Sequence, residues 1–134
     1  MTLEWNDEML LAFKKIMEID KQFKNLFDQI GFPENRAVKE GFESLAKIII
    51  GQQISTIVAK KISNKLIKDN MLNEKNLAAT SIEKLKLYRL SSQKSLYLLN
   101  LALLIKNKDI EIESFKYMPG EDLTNLLIKI KGIG

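Results

Sequence analysis

Apolar residues return every three or four positions along almost the whole chain, the spacing of helices that bury one face. In residues 6–30, Leu10, Phe13, Met17, Phe23, Leu26, Phe27 and Ile30 form such a stripe opposite lysines and acids. Their Phe and Met side chains are expected in the core. Asn6 or Asp7 suits an N-cap, Asp20 suits the N-cap of a second helix, and Gly31 ends the segment before a loop at 32–35. Phe42, Leu45, Ala46, Ile48, Ile49 and Ile50 predict a strongly apolar helix, and Ile54, Ile57, Val58, Ile62 and Leu66 predict the next. Between these two lies Gly51-Gln52-Gln53-Ile54-Ser55. Polar groups wedged between apolar runs require either hydrogen-bond partners or access to a ligand.

The second half continues in short helices. Asn73 is expected to cap a helix reaching Ala79, and Thr80 or Ser81 to cap SIEKLKLY. A turn at Tyr88–Ser92 leads into a long helix starting at Ser91 or Ser92. Its residues are apolar on most faces, which predicts a central, buried position. Asp109–Glu113 alternates like a strand but has no partner strand, so it is read as a loop or short helix packing Ile110 and Ile112. Pro119-Gly120 opens a last helix that runs into Lys131-Gly132-Ile133-Gly134. The fold class expected is all-α, a bundle of seven or eight short helices in a single domain, 1–134. Residues 1–36 form an N-terminal helical segment and 37–134 a six-helix-type core.

Composition narrows the chemistry. The chain has 134 residues, 46% hydrophobic, enough for one ordinary core. It contains no Cys and no His, which excludes disulfides, thiolate or imidazole metal sites, cysteine nucleophiles and a Ser–His–Asp triad. The acidic N-terminus lacks the pattern of a signal peptide, and the apolar run Leu96–Ile105 is too short to span a bilayer. A soluble, cytoplasmic protein is the expectation. Residues 1–43 carry 6 Lys and Arg against 9 Asp and Glu, whereas 44–134 carry 15 against 8. A basic bias confined to one part suits a polyanion, and lysine-rich solvated helix faces would give the same count.

The terminal Lys131-Gly132-Ile133-Gly134 has two readings. Two glycines around one apolar residue permit a close-approach turn whose N–H groups hold an anion, Ile133 pinning it to the core. The same residues also suit a simple left-handed helix cap at Gly132.

Taken in order, the Phe42-to-Ser55 segment with Gly51-Gln52-Gln53-Ile54-Ser55, then Leu90-Ser91-Ser92-Gln93-Lys94 with Tyr97-Leu98, then Ile130-Lys131-Gly132-Ile133-Gly134 resemble the helix-hairpin-helix base-excision DNA glycosylases. The match spans about residues 6–134, and the Gly-Gln-Gln-Ile-Ser form points to the 3-methyladenine, or alkylpurine, branch. The resemblance implies a glycosylase-type helical bundle that flips a damaged purine from double-stranded DNA and hydrolyses its N-glycosidic bond. It implies that Lys131, Gly132, Ile133 and Gly134 hold a DNA phosphate, with a monovalent cation at Gly132 and Gly134. Gln53 would enter the duplex as a wedge, Gln52 and Ser55 would support it, and Lys94 would contact DNA. Tyr97 and Trp5 are candidates for the base pocket, with core packing the alternative for each. No organic cofactor and no membrane are implied, and the complete form is expected to be monomeric. The absence of Cys argues against the iron–sulfur cluster of the endonuclease III-like branch in this portion, although the cysteines of that branch would lie past residue 134. The family's catalytic aspartate has no counterpart up to Gly134, so the chain is expected to be the N-terminal part of a glycosylase and inactive alone. Two alternatives stand beside this: a non-catalytic DNA-binding module or glycosylase remnant, and a helical protein-interaction domain.

Overall fold

The structure, a computed structural model, describes residues 6–32 and 39–133. The regular elements among the described residues are all helices, and these residues contain no strand. The chain divides into two compact units, Met1–Lys39 and Glu40–Gly134.

In the first unit, α1 spans Asp7–Ile19 and α2 spans Lys21–Ile30. Asn6 caps α1 by accepting from the Met9 N–H at 2.8 Å. Asp20 ends α1 and starts α2, its carboxylate accepting from the Gln22 and Phe23 N–H groups at 2.8 and 3.0 Å. A side-chain acceptor at such a position is worth about 1 kcal/mol. The two helices meet through aromatic rings, with Phe13 lying 5.4–5.7 Å from Phe23, Phe27 and Phe32. The expectation of a buried stripe is corrected here. No described residue of α1 or α2 is fully buried, and Leu26 and Ile30 are 51% and 68% exposed. Two short helices alone have too little facing surface to enclose their apolar sides.

The second unit holds the core. Its helices are α3 (Phe42–Gly51), α4 (Thr56–Lys68), α5 (Glu74–Ala78), α6 (Ile82–Lys86), α7 (Ser92–Lys106) and α8 (Gly120–Leu127). The stretch with strand-like alternation, Asp109–Glu113, is irregular up to Glu111 and then enters a 3-10 helix at Ile112–Tyr117, with Ile110 buried just before it. Ser55, Asn73, Ser81 and Ser91 cap α4, α5, α6 and α7 through their side-chain oxygens. Helix α7 is the hub, packing against α3, α5 and α6. It buries Ser95, Leu98, Leu101 and Ala102, but Leu96 and Leu103 remain 42% exposed. It is thus central without being enclosed. The apolar spacing of α3 and α4 also overstates burial: Ile49, Ile50, Ile62 and Leu66 are buried, whereas Ile48, Ile57 and Val58 are exposed.

Candidate nucleic-acid interface

The joint between α3 and α4 is held from two sides. Lys94, in the first turn of α7, donates its ammonium to the backbone carbonyls of Ile50 at 2.7 Å and Gln52 at 2.6 Å. The end of a helix leaves carbonyls without intrahelical partners, and a cation satisfies them while opposing the negative end of the helix dipole. Burial lowers the Lys94 pKa from its ordinary value. The Gln52 side chain then reaches across the chain, its amide donating to the Gly132 carbonyl at 2.5 Å. These contacts fix Gln52 by backbone and side chain alike.

Gln53, between this anchor and the Ser55 cap, adopts a left-handed backbone with φ +57° and is exposed. A non-glycine residue in that region is uncommon and costs on the order of 1 kcal/mol or more. The consequence is a long amide side chain presented outward from a rigid base. Ser55 spends its hydroxyl on the α4 cap, accepting from the Val58 N–H at 3.3 Å.

The second element is the turn after α8. Ile130 is 1% exposed and Ile133 packs against the core, so the turn is pinned on both sides. The Ile133 N–H donates to the Ile130 carbonyl at 3.0 Å and is not available to an anion, contrary to a nest of uniformly outward N–H groups. Among the described residues, the N–H groups of Lys131 and Gly132 meet no backbone carbonyl. Gly132 has φ +93°, and a Cβ there would lie 2.4 Å from Tyr97 Cδ2. Tyr97 therefore floors the turn, while its hydroxyl accepts from Gln93 Nε2 at 2.6 Å. Tyr97, a partly buried residue, thus packs between the turn and the core.

The three stretches singled out in the sequence thus meet physically: Lys94 and Tyr97 from α7, Gln52 from the joint, Gly132 from the turn. A cleft of about 290 Å³ opens beside them, lined by Gln52, Gln53, Val58, Arg89, Ser91 and Lys94 among others. None of its lining residues is acidic. Arg89 had no sequence signal; it too is left-handed, with φ +64°.

No family model matches the sequence, and no curated protein matches it. Among solved structures, a 3-methyladenine DNA-glycosylase from Archaeoglobus fulgidus is similar over 96% of this chain, with 29% identity and a TM-score of 0.70. The chain shares the fold of a DNA glycosylase. The resemblance to the helix-hairpin-helix glycosylase superfamily read from the motifs therefore holds at the level of the whole all-α architecture. The chain spans 47% of the length of that glycosylase.

Set in the glycosylase fold, the remaining expectations fall as follows. Trp5 and Gly134 lie outside the described residues. Lys94, expected to contact DNA, commits two of its three N–H donors to the carbonyls at the end of α3. A monovalent cation at the turn needs a cage of oxygen ligands. The Gly132 carbonyl accepts from Gln52, and Gly134, the second residue expected at the cation, lies outside the described residues. Among them there is also no cluster of three acidic side chains suited to a metal, and no helix is long and apolar enough to cross a membrane.

Proposed function

We propose that this chain provides the DNA-binding and base-extruding face of a glycosylase that removes alkylated purines such as 3-methyladenine. The observation that carries the reading is the Gln52–Gly132 hydrogen bond, which joins the joint bearing the exposed Gln53 to a turn with two N–H groups that meet no backbone carbonyl among the described residues. In this scheme the Lys131 and Gly132 N–H groups hold a phosphate, aided by the exposed Lys131 ammonium. Gln53 enters the stack as the target nucleotide leaves it, and its amide pairs with the orphaned base. Extruding a nucleotide costs a few kcal/mol, least for a damaged pair, so an inserted amide both offsets that cost and favours lesions.

Bond cleavage then requires a carboxylate to stabilise the developing positive charge on the sugar and to orient water. The cleft lining supplies none. The 134-residue chain is accordingly expected to bind damaged duplex without releasing the base, which equally describes the non-catalytic module.

Fluorescence anisotropy with duplexes that contain or lack an abasic-site analogue tests the wedge. Gln53→Ala should weaken binding to the abasic duplex about tenfold, which corresponds to about 1.4 kcal/mol, with little change on intact duplex. Equal losses on both would sink the wedge assignment. Release of methylated purine from alkylated DNA by this chain alone would overturn the division between binding and chemistry.

A further inference from the structure

The cleft at the joint does not end there. A second concavity of about 240 Å³, lined by Lys61, Ile62, Lys65, Leu87, Tyr88 and Arg89, shares Ile62 and Arg89 with the first. The two form one groove, running from Gln53 along α4 and bounded on the far side by the turn between α6 and α7. Its lining carries Lys61, Lys65, Arg89 and Lys94 and no carboxylate.

This charge is unbalanced at the scale of the element. Helix α4 carries Lys60, Lys61, Lys65 and Lys68 and not one acid within Thr56–Lys68. Lys61 and Lys65 are four apart, where like charges destabilise a helix by a few tenths of a kcal/mol. Among the described residues, Lys61, Lys65 and Arg89 make no ion pair. The carboxylate just past the helix, Asp69, accepts from the Tyr88 hydroxyl at 2.9 Å. Lys65 is held 5.2 Å over the Tyr88 ring, which keeps its ammonium at the groove edge. Along the floor run Ile54, Val58, Ile62 and Leu90, with Leu87 74% exposed at the far end. Cations at the rim over an apolar floor suit a chain of alternating phosphates and sugars.

We propose that this groove is a track for the sugar-phosphate backbone of one DNA strand, extending the interface from Gln53 along α4 with Lys61, Lys65 and Arg89 on successive phosphates. The inference rests on the DNA-binding reading above, and continuity with the joint selects DNA over other polyanions.

Each phosphate contact on duplex DNA contributes roughly 0.9 to the slope of log K against log salt concentration. The triple variant Lys61→Gln, Lys65→Gln, Arg89→Gln should lower that slope by roughly 2–3. A control triple, Lys106→Gln, Lys108→Gln, Lys116→Gln, removes equal charge elsewhere and should lower it by roughly 1 at most. Thermal melts verify that both variants stay folded. Equal falls in both would reduce the effect to net charge and overturn the track. An unchanged slope in the groove variant, with wild-type protein binding duplex, would overturn the track alone. Retained DNA binding with lost binding to vesicles of anionic phospholipid would reassign the groove to a membrane surface. Failure of the wild-type chain to bind duplex at all would remove the DNA reading beneath it.

Discussion

Gly132 is the residue at which the local and the distant meet. Its positive φ and the Tyr97 side chain, whose ring carbons and Cβ lie 2.4–3.0 Å from any Cβ, leave no room for a side chain. Gly132→Ala should therefore displace either the ring or the turn. The expected cost is roughly 1–3 kcal/mol, from overpacking and backbone strain together. Urea denaturation measures it, and an unchanged midpoint would show that Tyr97 yields freely. Tyr97→Phe in the same background should give no relief, because the obstructing atoms are ring carbons and Cβ. The glycine itself was legible, since Gly-Ile-Gly after an apolar helix calls for a special backbone. What it packs against was not, as a tyrosine 35 positions earlier carries no local mark. The inward bonds of Lys94 were illegible for a related reason. A lysine in the first turn of a helix is ordinarily solvated, and only the approach of the end of α3 turns its ammonium inward.

Among the elements, the helix starts were the most legible feature, because capping depends on one oxygen and the next three residues. Asn6, Asp20, Ser55, Asn73, Ser81 and Ser91 are each identifiable as a polar residue just before an apolar period. Periodicity served less well for burial on α4, since it reports which residues share a face and not whether another element covers it. The exposed Ile57 and Val58 show the difference. The far end of α4 is tied to the turn after α6 by the Tyr88 hydroxyl donating to Asp69. Burial, with that hydrogen bond and the Asp69 charge behind it, raises the Tyr88 pKa. A raised folded-state pKa means that the neutral phenol is favoured by folding. This stabilisation is complete below the ordinary tyrosine value of about 10 and is lost as pH rises through the folded-state value. Wild-type protein should accordingly lose stability above pH 10 more steeply than Tyr88→Phe, as read from denaturation midpoints between about pH 8 and 11. Parallel curves would show that the phenol contributes nothing through its proton.

For the molecule as a whole, the distribution of buried surface is uneven. Among the described residues, every buried apolar residue, from Phe42 to Ile130, belongs to the unit Glu40–Gly134. A fragment beginning at Glu40 is thus expected to retain a single cooperative thermal transition, whereas residues 6–32 alone should be mostly unstructured, as helices of 13 and 10 residues are marginal in isolation. Circular dichroism melts of the two fragments decide the matter, and a broad, non-cooperative transition in the larger one would contradict it. The Gln52–Gly132 hydrogen bond joins residues 80 positions apart. Closing so long a loop carries an entropy cost that neighbouring contacts along the chain do not, so such contacts form after local ones. During synthesis at roughly 5–20 residues per second, the joint emerges well before its partner turn exists. The brace on the joint is consequently set only after the turn at Gly132 has been made, and a half-made or half-folded chain presents Gln53 on an unbraced loop.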